Sequence, residues 1–231
     1  MRILLFALMA ALLPHYGVAA PPAAVKATYE LYRNKLFVAV IQESFAIDDG
    51  KYRIDSEATT QGLVALVKKD RITRVSTGSV TANGLRPEFF EEKRISHDKE
   101  KLVSARFDWD ARKLTLSHDN KTETLPVQAG AQDISSLFYQ FLFTIPNKRV
   151  VNVTVANGRY LEDYAYRFAD ESSVTTTAGA FQTMHYVHLS DNGERKTEIW
   201  LAKDKFLFPV RMTQEEDGNV LEQRLVALSF N

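Results

Sequence analysis

Five dipeptides, Asp49-Gly50, Asn83-Gly84, Asn157-Gly158, Asn192-Gly193 and Asp217-Gly218, punctuate the chain and take half of its ten glycines. Asn-Gly and Asp-Gly tolerate positive φ at both central residues, as a type I′ hairpin turn requires. Strand-like runs flank each one. Residues 37–47 and 52–58 surround the first, 72–81 and 85–91 the second, and 150–156 and 160–168 the third. Residues 181–189 and 196–202 surround the fourth, and 208–214 and 220–228 the last. A further hairpin is expected where 106–109 meets 114–116 through Asp110-Ala-Arg-Lys113. Hairpins at this density predict an antiparallel meander. Alternation supports it. Phe206, Phe208, Val210 and Met212 share one parity, as do Phe181, Thr183, His185, Val187 and Leu189, and Tyr164, Tyr166 and Phe168 form a third stripe. Period two with one apolar face implies a sheet covered on one side.

Two segments break the pattern. Thr60 to Lys68 reads as a short helix with Leu63, Leu66 and Val67 on one side. From Asp133, a good N-cap, to Pro146, the residues Ile134, Leu137, Phe138, Phe141, Leu142 and Ile145 keep helical spacing. No residue from Ile134 to Asn147 is charged, and Tyr139 and Phe143 widen the apolar surface. A helix apolar on most sides must be largely buried. The expected fold is therefore all-β: one domain, residues 21–231, with a strongly curved antiparallel sheet or half-barrel around one buried helix, plus the short helix.

Residues 1–20 read differently. Met1-Arg2 gives a positive start, Ile3 to Leu13 is an uncharged apolar run, and Val18-Ala19-Ala20 supplies small residues. This predicts a secretory signal peptide cleaved after Ala20, with an uncleaved anchor as the alternative. The apolar run is too short for a permanent span. Removing Arg2 from the 29 basic residues leaves one fewer than the 29 acidic ones. No basic excess suggests nucleic-acid binding. With no cysteine in the chain, disulfides and lipoprotein acylation are both excluded. A periplasmic protein that is not a lipoprotein, without a transmembrane anchor after cleavage, is expected.

Candidate chemistry is thin. His185 and His188 are three apart, and on a strand that offset sends them to opposite faces, so no metal site is expected. Asp133 with Ser135 and Ser136 reads as helix capping rather than a nucleophile. No G-x-S-x-G elbow, phosphate loop, dinucleotide fingerprint or H-E-x-x-H occurs. Adjacent carboxylates such as Glu91-Glu92 point apart on a strand. No catalytic residue and no cofactor are expected.

The elements 29–34 (YELYRN), 72–78 (ITRVSTG) with 84–87 (GLRP), 107–110 (FDWD), 129–135 (AGAQDIS) and 197–202 (TEIWLA) with 209–211 (PVR) occur in that order. Together they resemble the domain of unknown function 3108 family of secreted bacterial proteins, over nearly all of the mature chain. Lys35 stands after Asn34 where a glycine turn is expected in relatives. The family brings no established activity. The resemblance implies a curved sheet holding a helix, a shape similar to the half-barrel of periplasmic lipoprotein-sorting proteins, which shield acyl chains.

Trp109 and Trp200 both fall in strands. Trp200 is opposite in parity to Ile199 and Leu201, which predicts one face toward the helix and the other toward a loop or ligand. Core packing is the commoner role. The sequence-based expectation is a non-enzymatic protein binding an apolar or lipid-like ligand between sheet and helix, with Phe138, Tyr139, Phe143, Trp200 and Met212 as ligand-binding residues and nothing charged inside. The alternative is a structural or protein-interaction module of the cell envelope without a small ligand.

Overall fold

The computed structural model describes residues 21–66, 70–96, 99–144, 146, 149–190 and 193–231. The expected signal peptide, Val67, His97, Ile145 and Asn192 lie outside the described residues. The chain forms β1 (Ala24–Arg33), β2 (Leu36–Asp48), β3 (Lys51–Thr60), β4 (Asp70–Thr81), β5 (Gly84–Ser96), β6 (Lys99–Asp108), β7 (Lys113–His118) and β8 (Lys121–Pro126). It then crosses through β9 (Gln132–Asp133) and the helix α1 (Ser136–Gln140). It returns as β10 (Val150–Ala156), β11 (Leu161–Thr176), β12 (Gly179–Leu189), β13 (Arg195–Ala202), β14 (Phe208–Glu216) and β15 (Asn219–Phe230).

All these strands form a single sheet in the order β8-β7-β6-β5-β4-β3-β2-β1-β15-β14-β13-β12-β11-β10-β9, which does not close into a barrel. Neighbours are antiparallel except β9 and β10, which run parallel over Val155–Gln132 and Ala156–Asp133. The first and last strands pair at the centre, and two meanders run outward from them. The sheet coils far enough for its β9–β10 end to pack against β5 to β7. Gln132 at one end donates from Nε2 to the Leu85 carbonyl on β5 at 3.0 Å. Ala156 of β10 packs with Phe90, Ala105, Leu114 and Leu116 of β5 to β7 in a small second core. The main core gathers Tyr29, Phe45, Ile54, Tyr186, Leu201 and Phe208 around the crossing segment.

Turn chemistry explains the hairpins. Asp49-Gly50 and Asp217-Gly218 have positive φ at both residues, the type I′ signature. Asn34-Lys35 does too, at φ 50° and 69°, although Lys35 is not the glycine expected in relatives. At Asn83-Gly84 only the glycine has positive φ, so the turn sits one residue earlier, over Ala82-Asn83.

The two expected helices need correction. The long buried helix from Asp133 to Ile145 is absent: α1 is five residues long, and 141–143 are turns. Beyond Gln140 the amides of Leu142 and Phe143 bond three residues back, to Tyr139 and Gln140. A run of aromatic residues has modest helix propensity. The Gln140 side chain, at the end of the helix, reaches out to hold β5, accepting the Leu85 amide at 2.7 Å and donating to the Asn83 carbonyl at 2.8 Å. The segment is nonetheless buried at Leu137, Tyr139, Phe141 and Leu142. The second expected helix is a 3₁₀ turn, Gly62–Leu66, whose Leu63 faces solvent at 72% exposure.

Candidate functional site

Two neighbouring rungs of inward-facing side chains cross β1 to β6. One runs Tyr29, Ile41, Ala58, Ile72, Arg94, Lys101. The next runs Ala27, Glu43, Ser56, Arg74, Glu92, Val103. From the other half of the sheet, Gln223 and Met212 continue the surface beside Leu31. The crossing segment fills one end of this concavity. Tyr139 stacks on Phe45 with ring centroids 5.0 Å apart, and meets Phe208 edge-on at 5.7 Å. Phe143 meets Phe45 edge-on.

The other end stays open. A cavity of about 240 Å³ lies between Leu31, Ile41, Ala58, Ile72, Phe138 and Met212, with Arg74 and Arg94 in its wall. Across Leu31, Ala58 and Ile72 it adjoins a wider space of about 600 Å³, bounded by Val38, Leu36 and Arg33 at the strand ends. The two share the apolar wall of Leu31, Ala58 and Ile72 and are treated as one groove, whose inner part also carries Ser56, Thr197, Thr213, Gln214, Gln223 and a charged stretch.

That charged stretch overturns the expectation of an uncharged interior. Arg74 Nε donates to Glu92 Oε2 at 2.7 Å, and Arg94 Nη2 lies 3.8 Å from Glu92 Oε1. Glu43 accepts from the Tyr139 hydroxyl at 3.3 Å and the Ser56 hydroxyl at 3.2 Å. Burial raises its pKa above the ordinary carboxylate value, against the opposing pull of Ser56, Arg74 and Tyr139.

Beneath it lies the anchor of the crossing segment. Asp133 is fully buried. Its Oδ1 accepts the amides of Ser135 and Ser136 at 2.8 and 2.9 Å, and its Oδ2 accepts the Ser76 hydroxyl at 2.6 Å. The N-cap of α1 is Ser135 and not the expected Asp133, which from two residues earlier accepts the amides of that cap and of the first helical residue. Burial raises its pKa despite those bonds.

The structure brings two of the expected ligand residues, Phe138 and Met212, to the groove wall. Tyr139 and Phe143 belong to the plug instead. Trp200 lies on the opposite face from Ile199, between the His185 ring at 4.3 Å and the Arg211 guanidinium at 4.5 Å. His185 and His188 fall on opposite faces, His185 against Trp200 and His188 against Tyr164 and Tyr166. Sequence reasoning missed Leu31, Ile41, Ala58, Ile72, Arg74 and Arg94. Strand parity carried the signal, since Ile72, Arg74 and Ser76 alternate on one face.

Fold and groove define a coiled, open β-sheet protein whose concavity is plugged at one end and carries an apolar groove at the other. The chain belongs to the family described as Protein of unknown function (DUF3108), whose profile matches residues 28–226. A search of curated proteins finds no match. Among solved structures, it is similar to a beta-barrel-like protein of domain of unknown function DUF1849 from Brucella abortus. That match has a TM-score of 0.63 at 10% identity and covers 92% of this chain and 100% of the other. A candidate lipoprotein from Parabacteroides distasonis aligns with a TM-score of 0.39 at 11% identity, over 91% of this chain and 97% of the other. The first likeness concerns the fold alone.

Proposed function

We propose that this protein is a non-enzymatic binding protein of the bacterial periplasm that holds an apolar, lipid-like ligand in the concavity of its sheet. The observation that carries the reading is the groove itself. A space lies beside the described residues of the crossing segment, walled by Leu31, Ile41, Ala58, Ile72, Phe138 and Met212 together with the polar Ser56, Thr197, Thr213, Gln214 and Gln223. A core whose purpose is stability is close-packed instead. Each methylene moved from water into such a lining contributes about 0.8 kcal/mol. Export rests on residues 1–20, whose charge and apolar run have the form of a signal peptide.

The neutral fluorophore N-phenyl-1-naphthylamine tests the reading. Saturable binding that weakens in Met212→Ala and Phe138→Ala but survives in Phe143→Ala supports the groove, because Phe143 lies in the plug. Absence of binding in all four proteins, with solvent extracts of native material free of lipid by mass spectrometry, refutes it. The envelope interaction module would then be the better account, and β10 its natural contact. Among the described residues its outer side is bridged only at Val155 and Ala156, and Val150 to Thr154 carry no charge to guard an edge.

A further inference from the structure

The wall of the groove holds an unbalanced charge. Arg74 and Arg94 both line it, and the carboxylate between them, Glu92, is shared by the two. On these two rungs Arg74, Arg94 and Lys101 stand against two carboxylates, Glu92 and Glu43, which leaves one positive charge. The sharing is unequal: Glu92 is within hydrogen-bond range of Arg74 at 2.7 Å but 3.8 Å from Arg94, whose side chain is 51% exposed. Arg94 also stands directly opposite Lys101 in the β5–β6 register. Like charges placed opposite each other across two strands are destabilising. The other carboxylate on this floor, Glu43, is engaged by Tyr139 and Ser56. At the outer rim Asp70 and Arg33 both border the wider part of the groove, so the rim adds no net charge.

We infer that the groove takes a long-chain carboxylate, its head on Arg94 and Arg74 and its chain along Ile72, Ala58 and Leu31 toward the open end. This rests on the groove being a ligand site at all. A guanidinium presents paired donors that match the two oxygens of a carboxylate. A monoanion cancels the surplus of one, whereas a neutral head leaves it and a cationic head adds to it. The apolar stretch that begins at Ile72, the register neighbour of Arg94, and continues at Ala58 on the same rung gives the chain a path that keeps head and tail on matching surfaces.

The test displaces N-phenyl-1-naphthylamine from the purified mature protein with dodecanoate, dodecanol, dodecyl phosphate and dodecyltrimethylammonium. Dodecanoate should bind at least about tenfold more tightly than dodecanol, a difference of about 1.4 kcal/mol. Dodecyltrimethylammonium should bind most weakly. In Arg94→Gln the preference for dodecanoate over dodecanol should fall below about threefold. Arg94→Gln leaves the Arg74–Glu92 pair intact, so its fold is not at issue, and Arg94→Lys should keep much of the preference. Equal binding of dodecanoate and dodecanol, an unchanged preference in Arg94→Gln, or tighter binding of dodecyl phosphate would each overturn the assignment while leaving an apolar site in place. If neither the fluorophore nor any amphiphile binds, the groove is not a ligand site, and the broader reading falls with it.

Discussion

Asp133 is where the crossing segment is tied to the sheet, and its substitutions separate hydrogen bonding from charge. Asp133→Ala removes the acceptor for the amides of Ser135 and Ser136, two residues that are 8% and 0% exposed. An orphaned buried donor costs about 1–3 kcal/mol, so two cost about 2–6. The Ser76 hydroxyl keeps the Tyr52 hydroxyl as a partner at 3.1 Å and adds little. Removing a carboxylate that burial disfavours returns part of the loss, so the net expected is about 2–4 kcal/mol. For a chain of this size each kcal/mol lowers Tm by about 2–4 °C. Asp133→Asn keeps an oxygen for both amides and turns its amide nitrogen toward Ser76, so it should lie within about 1 kcal/mol of wild type at neutral pH. The pH dependence separates the two effects further. Asp133 has a raised pKa in the folded chain because it is buried. Between the ordinary carboxylate value and the raised one, the folded state holds a proton that the unfolded state has released, so stability falls as pH rises through that window. Asp133→Asn should flatten the slope without removing it, because Glu43 is raised in the same direction. Urea unfolding from pH 4 to 8 measures both quantities. If Asp133→Ala unfolds within about 0.5 kcal/mol of wild type, or Asp133→Asn is as damaged as Asp133→Ala, the network does not fix the segment and the reasoning fails.

Substitutions at three further positions probe the frame in the same urea assay. Lys35→Gly should stabilise by about 0.5–1 kcal/mol, since the exposed lysine holds a left-handed conformation that glycine adopts without a clash; a loss would refute the turn assignment. Gly78→Ala should destabilise by about 1–3 kcal/mol, because a Cβ there would run into the Arg86 carbonyl and sit 2.8 Å from Tyr52 Cε1; neutrality would mean that β4 and β5 lie less close than described. Phe141→Ala should cost about 3–5 kcal/mol at this buried position, and Phe141→Asp should prevent folding, as loss of the β circular dichroism signal would show. Near-wild-type stability of the Asp variant would put the segment outside the core.

The hairpins were legible because turn chemistry is local. Asp49-Gly50 sets its own φ values whatever surrounds it, and strands 150–156 and 196–202 follow from their own composition. The central strand β1 was visible only as a family motif, since its place depends on pairing with β15 at the far end of the chain. The crossing segment was misjudged for a different reason. Apolar residues at helical spacing report burial, and burial is what Leu137, Phe141 and Leu142 have, but the spacing does not fix the backbone bonds, which at Leu142 and Phe143 tighten to partners three residues back. Faces were hardest where alternation slips. On β12 both Thr183 and Met184 are buried, after which Tyr186 and His188 point inward and Leu189 is exposed, so a stripe read from Phe181 to Leu189 loses its phase midway. Of the site, Phe138 and Met212 were accessible because large apolar residues attract notice. Arg74 and Arg94 were not, because a charge on a strand is read as facing water unless its parity is traced from Ile72.

An ion pair on the inward face of a sheet calls for a cause. The Arg74 and Glu92 side chains are 33% and 17% exposed. A pair so placed is often no better than apolar side chains of the same volume, because desolvation offsets the attraction. Stability therefore supplies no reason for charges on a rung whose neighbour carries Tyr29, Ile41 and Ile72. Packing is also incomplete there. The plug residues Tyr139 and Phe143 crowd against Phe45, while among the described residues of the segment it is Phe138 that reaches the space beside Ile72 and Met212. Charge where apolar residues would fold more simply, and space where side chains would pack more tightly, are two separate departures from an ordinary β core. Departures of this kind are expected where a chain gives up local consistency for function. Here both fall on the same two rungs of β3 to β5, and optimisation of the fold alone gives no reason for them to coincide.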